Sequence, residues 1–152
     1  MVRITGETDI SAPPQVVFDV VADERNRYDP SILQAELLTD GPLGVGTRFR
    51  SVARGVREPV EMTVEITGYD RPRQLTTTTR SRSMDIDSTL HFEPSASGTR
   101  MRWSLQLRPL RSLRLLTPLL PLVGRWQVRR VWEALKTHVE QQPQTTPERQ
   151  TT

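Results

Sequence analysis

Cysteine is absent from all 152 residues, which removes disulfides, thiolate nucleophiles and cysteine-bound zinc from consideration. Aromatic residues are scarce, with three Trp, three Phe and two Tyr. They are not interleaved with the basic residues, which argues against a base-stacking surface, so no nucleic-acid partner is expected. Only two His occur, at 91 and 138. Each reads as a solvated residue, because a metal site needs several converging ligands. Long hydrophobic runs are missing too. The richest, LRLLTPLLPLV over residues 113–123, is broken by Pro118 and Pro121 and falls short of the ~20 apolar residues of a membrane span. The opening MVRITGETDI has neither the basic region nor the apolar run of a secretory signal, so the cytoplasm is the expected location. Nucleophile elbow, P-loop, dinucleotide-binding fingerprint and paired-His motif are all lacking, and no cofactor, metal or catalytic residue is expected.

Lysine is nearly absent, and that explains an otherwise misleading number. The net charge is only +3, yet the pI is near 10.1, because 20 of the 21 basic residues are Arg, which hardly titrates. The distribution is more informative than the total. Residues 1–93 carry a net −4, whereas residues 94–132 carry eight Arg and no acid. The excess surrounds the leucine-rich stretch.

What the chain does have is alternation. Residues 2–10 read as a half-buried strand with a weak middle at Gly6. SAPP follows, where Ser11 can cap a helix and prolines suit its first turn. Val17, Phe18, Val20 and Val21 then give a short apolar helix to about Ala22, with a second helical turn before Asp29-Pro30. Strands are expected over 32–39, 47–54, 59–69, 75–80, 84–92 and 100–107, separated by turns at hairpin spacing. The clearest is PVEMTVEITGY, with Val60, Met62, Val64 and Ile66 on one face and Glu61, Thr63, Glu65 and Thr67 on the other. Asp85 and Asp87 in MDID fall on a polar face and read as a solvent-facing strand edge. Val128, Val131, Trp132, Leu135 and Val139 have the spacing of an amphipathic helix running to about Glu140. Leu110 to Val123 reads as a kinked lead-in. Residues 141–152 are a disordered tail by composition. The sum is one α+β domain over residues 1–140, an antiparallel sheet that must curl around the single long helix.

The segments DISAPPQVVFDVVADERNRY, LLTDGPLGVGTRFR, VEMTVEITGYDRPRQL, LHFEPSASGTRMRW and VWEALKTHVE come in an order and spacing that resembles one family. It is the polyketide cyclase/dehydrase-like branch of the START and birch-pollen-allergen superfamily, SRPBCC, and the resemblance covers residues 2–140. It implies a helix-grip fold, a curved antiparallel sheet wrapped around a long C-terminal helix with two short helices after the first strand. It also implies an apolar cavity between sheet and helix for a lipid, polyketide, sterol or quinone-like ligand. The chain departs from the pattern at RYDPSIL, where relatives often carry a Trp, which implies a different cavity mouth.

With that cavity, the inward positions become candidate ligand contacts: Phe49, Ser51, Met62, Thr77, Met84, Ile86, Ser88, Met101 and Trp103. Leu120, Trp126, Gln127 and Arg130 join them from the C-terminal region. The Met residues suit an adaptable pocket, and Ser51, Thr77 and Ser88 supply hydrogen bonds. In VFDVVADERNRYDP, Asp19, Asp23, Glu24 and Asp29 read as helix-end charges in water, and Tyr28 alone is kept as a ligand contact. Two readings stand beside ligand binding. One is a cyclase or dehydratase using the same cavity. The other is a protein- or membrane-docking role for the basic Leu-rich segment 108–130, which has the composition to lie on an anionic membrane.

Overall fold

The computed structural model describes residues 2–55, 57–110 and 120–141, apart from the side chains of 120–124 and 127. The expected kinked lead-in and disordered tail therefore lie mostly outside the described residues. Seven strands are present: β1 (Val2–Ile10), β2 (Ile32–Leu37), β3 (Arg48–Ala53), β4 (Val60–Asp70), β5 (Gln74–Arg80), β6 (Met84–Ser95) and β7 (Gly98–Pro109). Between β1 and β2 lie α1 (Pro14–Ala22) and a 3-10 turn over Glu24–Asn26, and α2 (Leu120–Gln141) follows β7.

The strands form one antiparallel sheet in the order β1-β7-β6-β5-β4-β3-β2. Strands β2 to β7 are a meander, each hydrogen-bonded to the next, as short strands separated by turn signals dictate. Only β1 departs from sequence order. It pairs with β7 from Val2 opposite Leu107 to Ile10 opposite Thr99. The chain then travels through α1 and the 3-10 turn from one sheet edge to the other. This is the helix-grip arrangement.

Local sequence explains that crossing. Pro14 opens α1 at a position where a missing N–H is harmless, and Pro13 precedes it as the cap residue with no side-chain cap bond. Ser11 is not the cap that SAPP suggested. Its backbone N–H instead donates to Glu140 Oε2 at 2.8 Å, tying the approach to α1 to the end of α2. Val17, Phe18, Val20 and Val21 are all buried, and each contributes about 1.5–3 kcal/mol relative to exposure. Phe18 packs edge-on against Tyr69 and Phe92, with ring centroids 5.0 and 5.5 Å apart. From α2, Trp132, Leu135 and Val139 close the same core, at the spacing the sequence shows.

The outer face of the sheet resolves the charge asymmetry. Arg100 pairs with Asp9, Arg102 with Glu7 and Glu93, and Arg108 with Asp87. These three arginines of the basic stretch are thus matched by acids brought alongside by strand pairing. Asp87 also accepts from Thr78 Oγ1. Its strand β6 is interior to the sheet, so Asp85 and Asp87 of MDID share the outer face but lie on no edge. Exposed pairs of this kind contribute about 0–1 kcal/mol each, so they favour register more than stability.

The β6–β7 turn combines a positive φ with a close backbone approach. Gly98 sits at φ +141°, where a Cβ would lie 2.6 Å from both Ile10 O and Ala12 N. Beside it the Thr99 hydroxyl donates to Ala12 O at 2.6 Å. Gly98→Ala should cost about 1–3 kcal/mol in urea denaturation, from a strained backbone plus the clash. Gly44→Ala, where nothing lies within 4 Å of the added Cβ, should stay within ~0.5 kcal/mol of wild type. Equal stability of the two variants would contradict this account of the turn.

Candidate functional site

Register determines which side chains meet on the concave face. Thr77 stands opposite Ser88, and Ser88 opposite Leu105. The neighbouring row runs from Val64 through Thr79 and Ile86 to Leu107. Between these rows and α2 lies a cavity of about 350 Å³. Met62, Met84, Ile86, Leu90, Leu105 and Leu107 give it an apolar floor, and Thr77, Thr79 and Ser88 add three hydroxyls. Val128, Val131 and Trp132 of α2 form its roof. Glu24, Arg27, Tyr28, Asp29 and Ser31, from the crossing segment, form its mouth.

Six of the residues anticipated from sequence border this space: Tyr28, Met62, Thr77, Met84, Ile86 and Ser88. Phe49, Ser51 and Met101 do not. They are wholly buried, with Phe49 and Met101 in the packed core, and Ser51 Oγ has no hydrogen-bond partner among the described residues. Alternation identifies the face a side chain occupies but not whether a neighbour fills the space above it. Trp126 is 62% exposed, with the Arg130 guanidinium 4.9 Å from its ring centroid. Both lie two residues from Val128, about 200° around the helix and so away from the sheet. The side chains of Leu120 and Gln127 lie outside the described residues.

Trp103 faces a different space. Its ring lies against Gly6 so closely that a Cβ there would sit 2.5 Å from a ring carbon. This accounts for the weak middle of β1. The Trp103 and Trp132 rings, 6.2 Å apart, wall a groove of about 540 Å³ between β1 and α2. That groove is larger than the cavity but is lined by Glu7, Asp9, Arg125, Arg129, Glu133 and Lys136. An apolar ligand is better matched by the smaller space. Among the described residues no group of three or more His, Asp or Glu is placed to hold a metal ion, and no helix is long and apolar enough to cross a membrane.

The mouth corrects the reading of its acids as helix-end charges in water. For Asp19 and Asp23 that reading describes the contacts. Asp19 pairs with Arg71 on the surface at 2.7 Å, and Arg25 clamps Asp23 through Nε and Nη2. Glu24 and Asp29 differ, because both border the cavity. Asp29 Oδ1 accepts from the Ser31 N–H at 2.9 Å and hydroxyl at 2.8 Å. The Glu24 carboxyl has no hydrogen-bond or ion-pair partner among the described residues. Burial, reinforced by Asp29 and then Asp23, pushes it from the ordinary 4.5 up to about 7. Burial, with Glu24 and Asp29 adding, also raises the Tyr28 phenol well above its ordinary value, so it stays a donor at neutral pH. The sequence held a signal for Glu24. It follows Val17 by seven residues and Val20 by four, the spacing of an apolar helix face, although in the structure the extended Asp23 breaks the helical phase and Glu24 reaches the cavity from a separate 3-10 turn.

The segment is also held in place. Asn26 Nδ2 donates to Val20 O at 3.0 Å, and Arg27 turns the chain at φ 47° while its Nη1 reaches Leu33 O at 2.6 Å. A raised carboxyl pKa has a definite sign in stability. Glu24 is neutral in both states below pH 4.5, and its stabilising protonation is lost as pH rises through about 7. Glu24→Gln should therefore gain roughly 1–3 kcal/mol over wild type at pH 8.5, allowing for partial exposure, and almost nothing at pH 4.5. Urea denaturation at the two pH values checks this, and an equal difference at both would contradict it.

A family model described as "Polyketide cyclase / dehydrase and lipid transport" matches residues 1–140. No curated protein matches the sequence. Among solved structures, a START superfamily protein from Mycobacterium smegmatis superposes with a TM-score of 0.79 at 13% identity, covering 93% of this chain and 99% of that one. A protein from Thermus thermophilus gives 0.76 at 21% identity, covering 91% and 97%. Ara h 8.0201 gives 0.68 at 16% identity, again covering 91% and 97%. At these identities the neighbours establish the fold alone, and the family rests on the match along the sequence. The chain belongs to the polyketide cyclase / dehydrase and lipid transport family.

Proposed function

We propose that the protein binds a hydrophobic small molecule (a lipid, polyketide, sterol or quinone-like compound) in the cavity between the sheet and α2. The observation that carries this reading is an apolar-lined space of about 350 Å³ in the middle of the concave face. A dry void of that size would cost on the order of 8 kcal/mol, against a typical total stability of about 5–15 kcal/mol. Solvent entering at the mouth lowers that upper bound, but the penalty remains large unless something fills the space. The volume is near the lower end of ordinary ligand pockets, about 300–1,000 Å³, so a compact ring system suits it better than a long chain. Met62 and Met84 supply adaptable walls. The six bordering residues anticipated from sequence are proposed as ligand contacts, together with Thr79, Val131 and Trp132.

A specific observation favours a second reading, proton transfer on the bound molecule in a cyclase- or dehydratase-type reaction. Glu24 borders an apolar cavity with a pKa of about 7, where a carboxyl takes and returns protons most effectively at neutral pH. Docking through residues 108–130 has less support. Residues 111–119 lie outside the described residues, and Arg108 is committed to Asp87.

The uncharged fluorescent probe N-phenyl-1-naphthylamine tests the binding reading. Wild type should show saturable enhancement. Ser88→Leu should abolish it while keeping or raising stability by about 0.5–2 kcal/mol, because the added carbons fill empty space. A Ser88→Leu protein destabilised by about 1–3 kcal/mol would mean that the region is already packed. Unchanged probe binding in the variant would move the site elsewhere.

A further inference from the structure

The mouth and interior of the cavity carry unequal charge chemistry. Inside, the polar atoms are the neutral hydroxyls of Thr77, Thr79 and Ser88. At the mouth, among the described residues, stand two carboxyls, Glu24 and Asp29, the phenol of Tyr28, and one cation, Arg27. Two cations of the crossing segment, Arg25 and Arg27, make contacts of their own. Arg25 binds Asp23 through two side-chain bonds of 2.9 and 2.8 Å. Arg27 is exposed, and its Nη1 donates to the Leu33 carbonyl at 2.6 Å. Asp29 Oδ1 accepts from both the Ser31 N–H and its hydroxyl. Of the two mouth carboxyls, only Glu24 is left as an acceptor without a donor among the described residues, at the boundary between water and an apolar cavity. A poorly solvated carboxyl in that position is satisfied best by a donor carried on the ligand.

We propose that the mouth selects ligands by charge, accepting an apolar ring that bears an amine or hydroxyl on Glu24 and disfavouring carboxylate-bearing ligands such as free fatty acids. This inference rests on the cavity reading above. A cationic amine adds a charge-assisted hydrogen bond to Glu24, stronger than the bond from a neutral hydroxyl. A carboxylate instead brings a third negative charge beside Glu24 and Asp29 in a place of low solvation. Its compensating partner among the described mouth residues would be Arg27, which is exposed and already gives Nη1 to the Leu33 carbonyl.

One bicyclic ring in four forms separates this inference from the reading beneath it. Full-length protein is titrated by calorimetry at pH 8 with 2-methylnaphthalene, 2-naphthol, 2-naphthylmethylamine and 2-naphthoate. Binding of 2-methylnaphthalene tests the cavity itself. The ranking of the other three tests the charge selection. The amine should bind tightest and the carboxylate weakest, with at least about tenfold between them, the scale of a charge-assisted bond. Glu24→Gln should reduce the amine's advantage over 2-methylnaphthalene by about tenfold while leaving 2-methylnaphthalene within about twofold. The inference is overturned if 2-naphthoate binds as well as the amine, most plainly if Arg27→Gln then removes that binding. It is equally overturned if Glu24→Gln leaves the ranking unchanged. Failure of all four rings to bind overturns the cavity reading and this inference together.

Discussion

One helix has to cover a seven-stranded sheet, and the rest of the structure follows from that mismatch. Neighbouring strands lie about 4.8 Å apart, so seven of them span roughly 29 Å, whereas a helix with its side chains is about 10–12 Å wide. A flat sheet would leave more than half of its apolar face in water. Curling reduces the exposed width, and the crossing segment from β1 to β2 closes part of what is left. Phe18 packs on Tyr69 and Phe92 at one end, while Trp132, Leu135 and Val139 of α2 close the core from the side of the sheet nearest β1. Between the docked helix and the far strands the coverage is incomplete, and that gap is the cavity.

The same geometry sorts the charges into two populations. Outside, strand pairing sets arginines beside acids, as in Arg50 with Glu61 at 3.0 Å and Arg102 with Glu7 at 3.3 Å. These pairs are exposed, and the hydrogen bond from Arg50 is the main cause that holds the Glu61 carboxyl below its ordinary value. At the cavity mouth a carboxyl has neither a partner among the described residues nor full hydration. Its environment, not its residue type, makes Glu24 unlike the other acids of the chain. Among the described residues, Arg48, Arg50, Arg100, Arg102 and Arg108 are the arginines that strand pairing commits to acids on the outer face.

The fold was legible in the sequence because it rests on periodicity. The two-residue period of Val60 to Ile66 and the helical spacing of Val128 to Val139 both survive in the structure, although α2 begins at Leu120, inside the stretch read as a kinked lead-in. The cavity was legible only in part, because periodicity assigns faces and not depth. Phe49 and Met62 share one face, yet Phe49 is packed solid and Met62 borders open space. Trp126 was misassigned although its angular distance from Val128 already turned it outward. Glu24 was misread for a different reason. Its significance depends on where Arg25 and Arg27 send their guanidiniums, and those partners, Asp23 and the Leu33 carbonyl, are settled only when the turn has folded. Gly6 is comparable, since nothing local marks it as the seat of a Trp ring from the neighbouring strand.

The four methionines report on these distinctions directly. In protein labelled with 13C at the Met methyls, addition of 2-methylnaphthalene should shift the resonances of Met62 and Met84, which border the cavity. Met101, wholly buried in the packed core, should hold its position. That pattern is what an apolar ligand between the sheet and α2 must produce. Met62 and Met84 unmoved at saturating ring compound, or a shift confined to Met101, would contradict it.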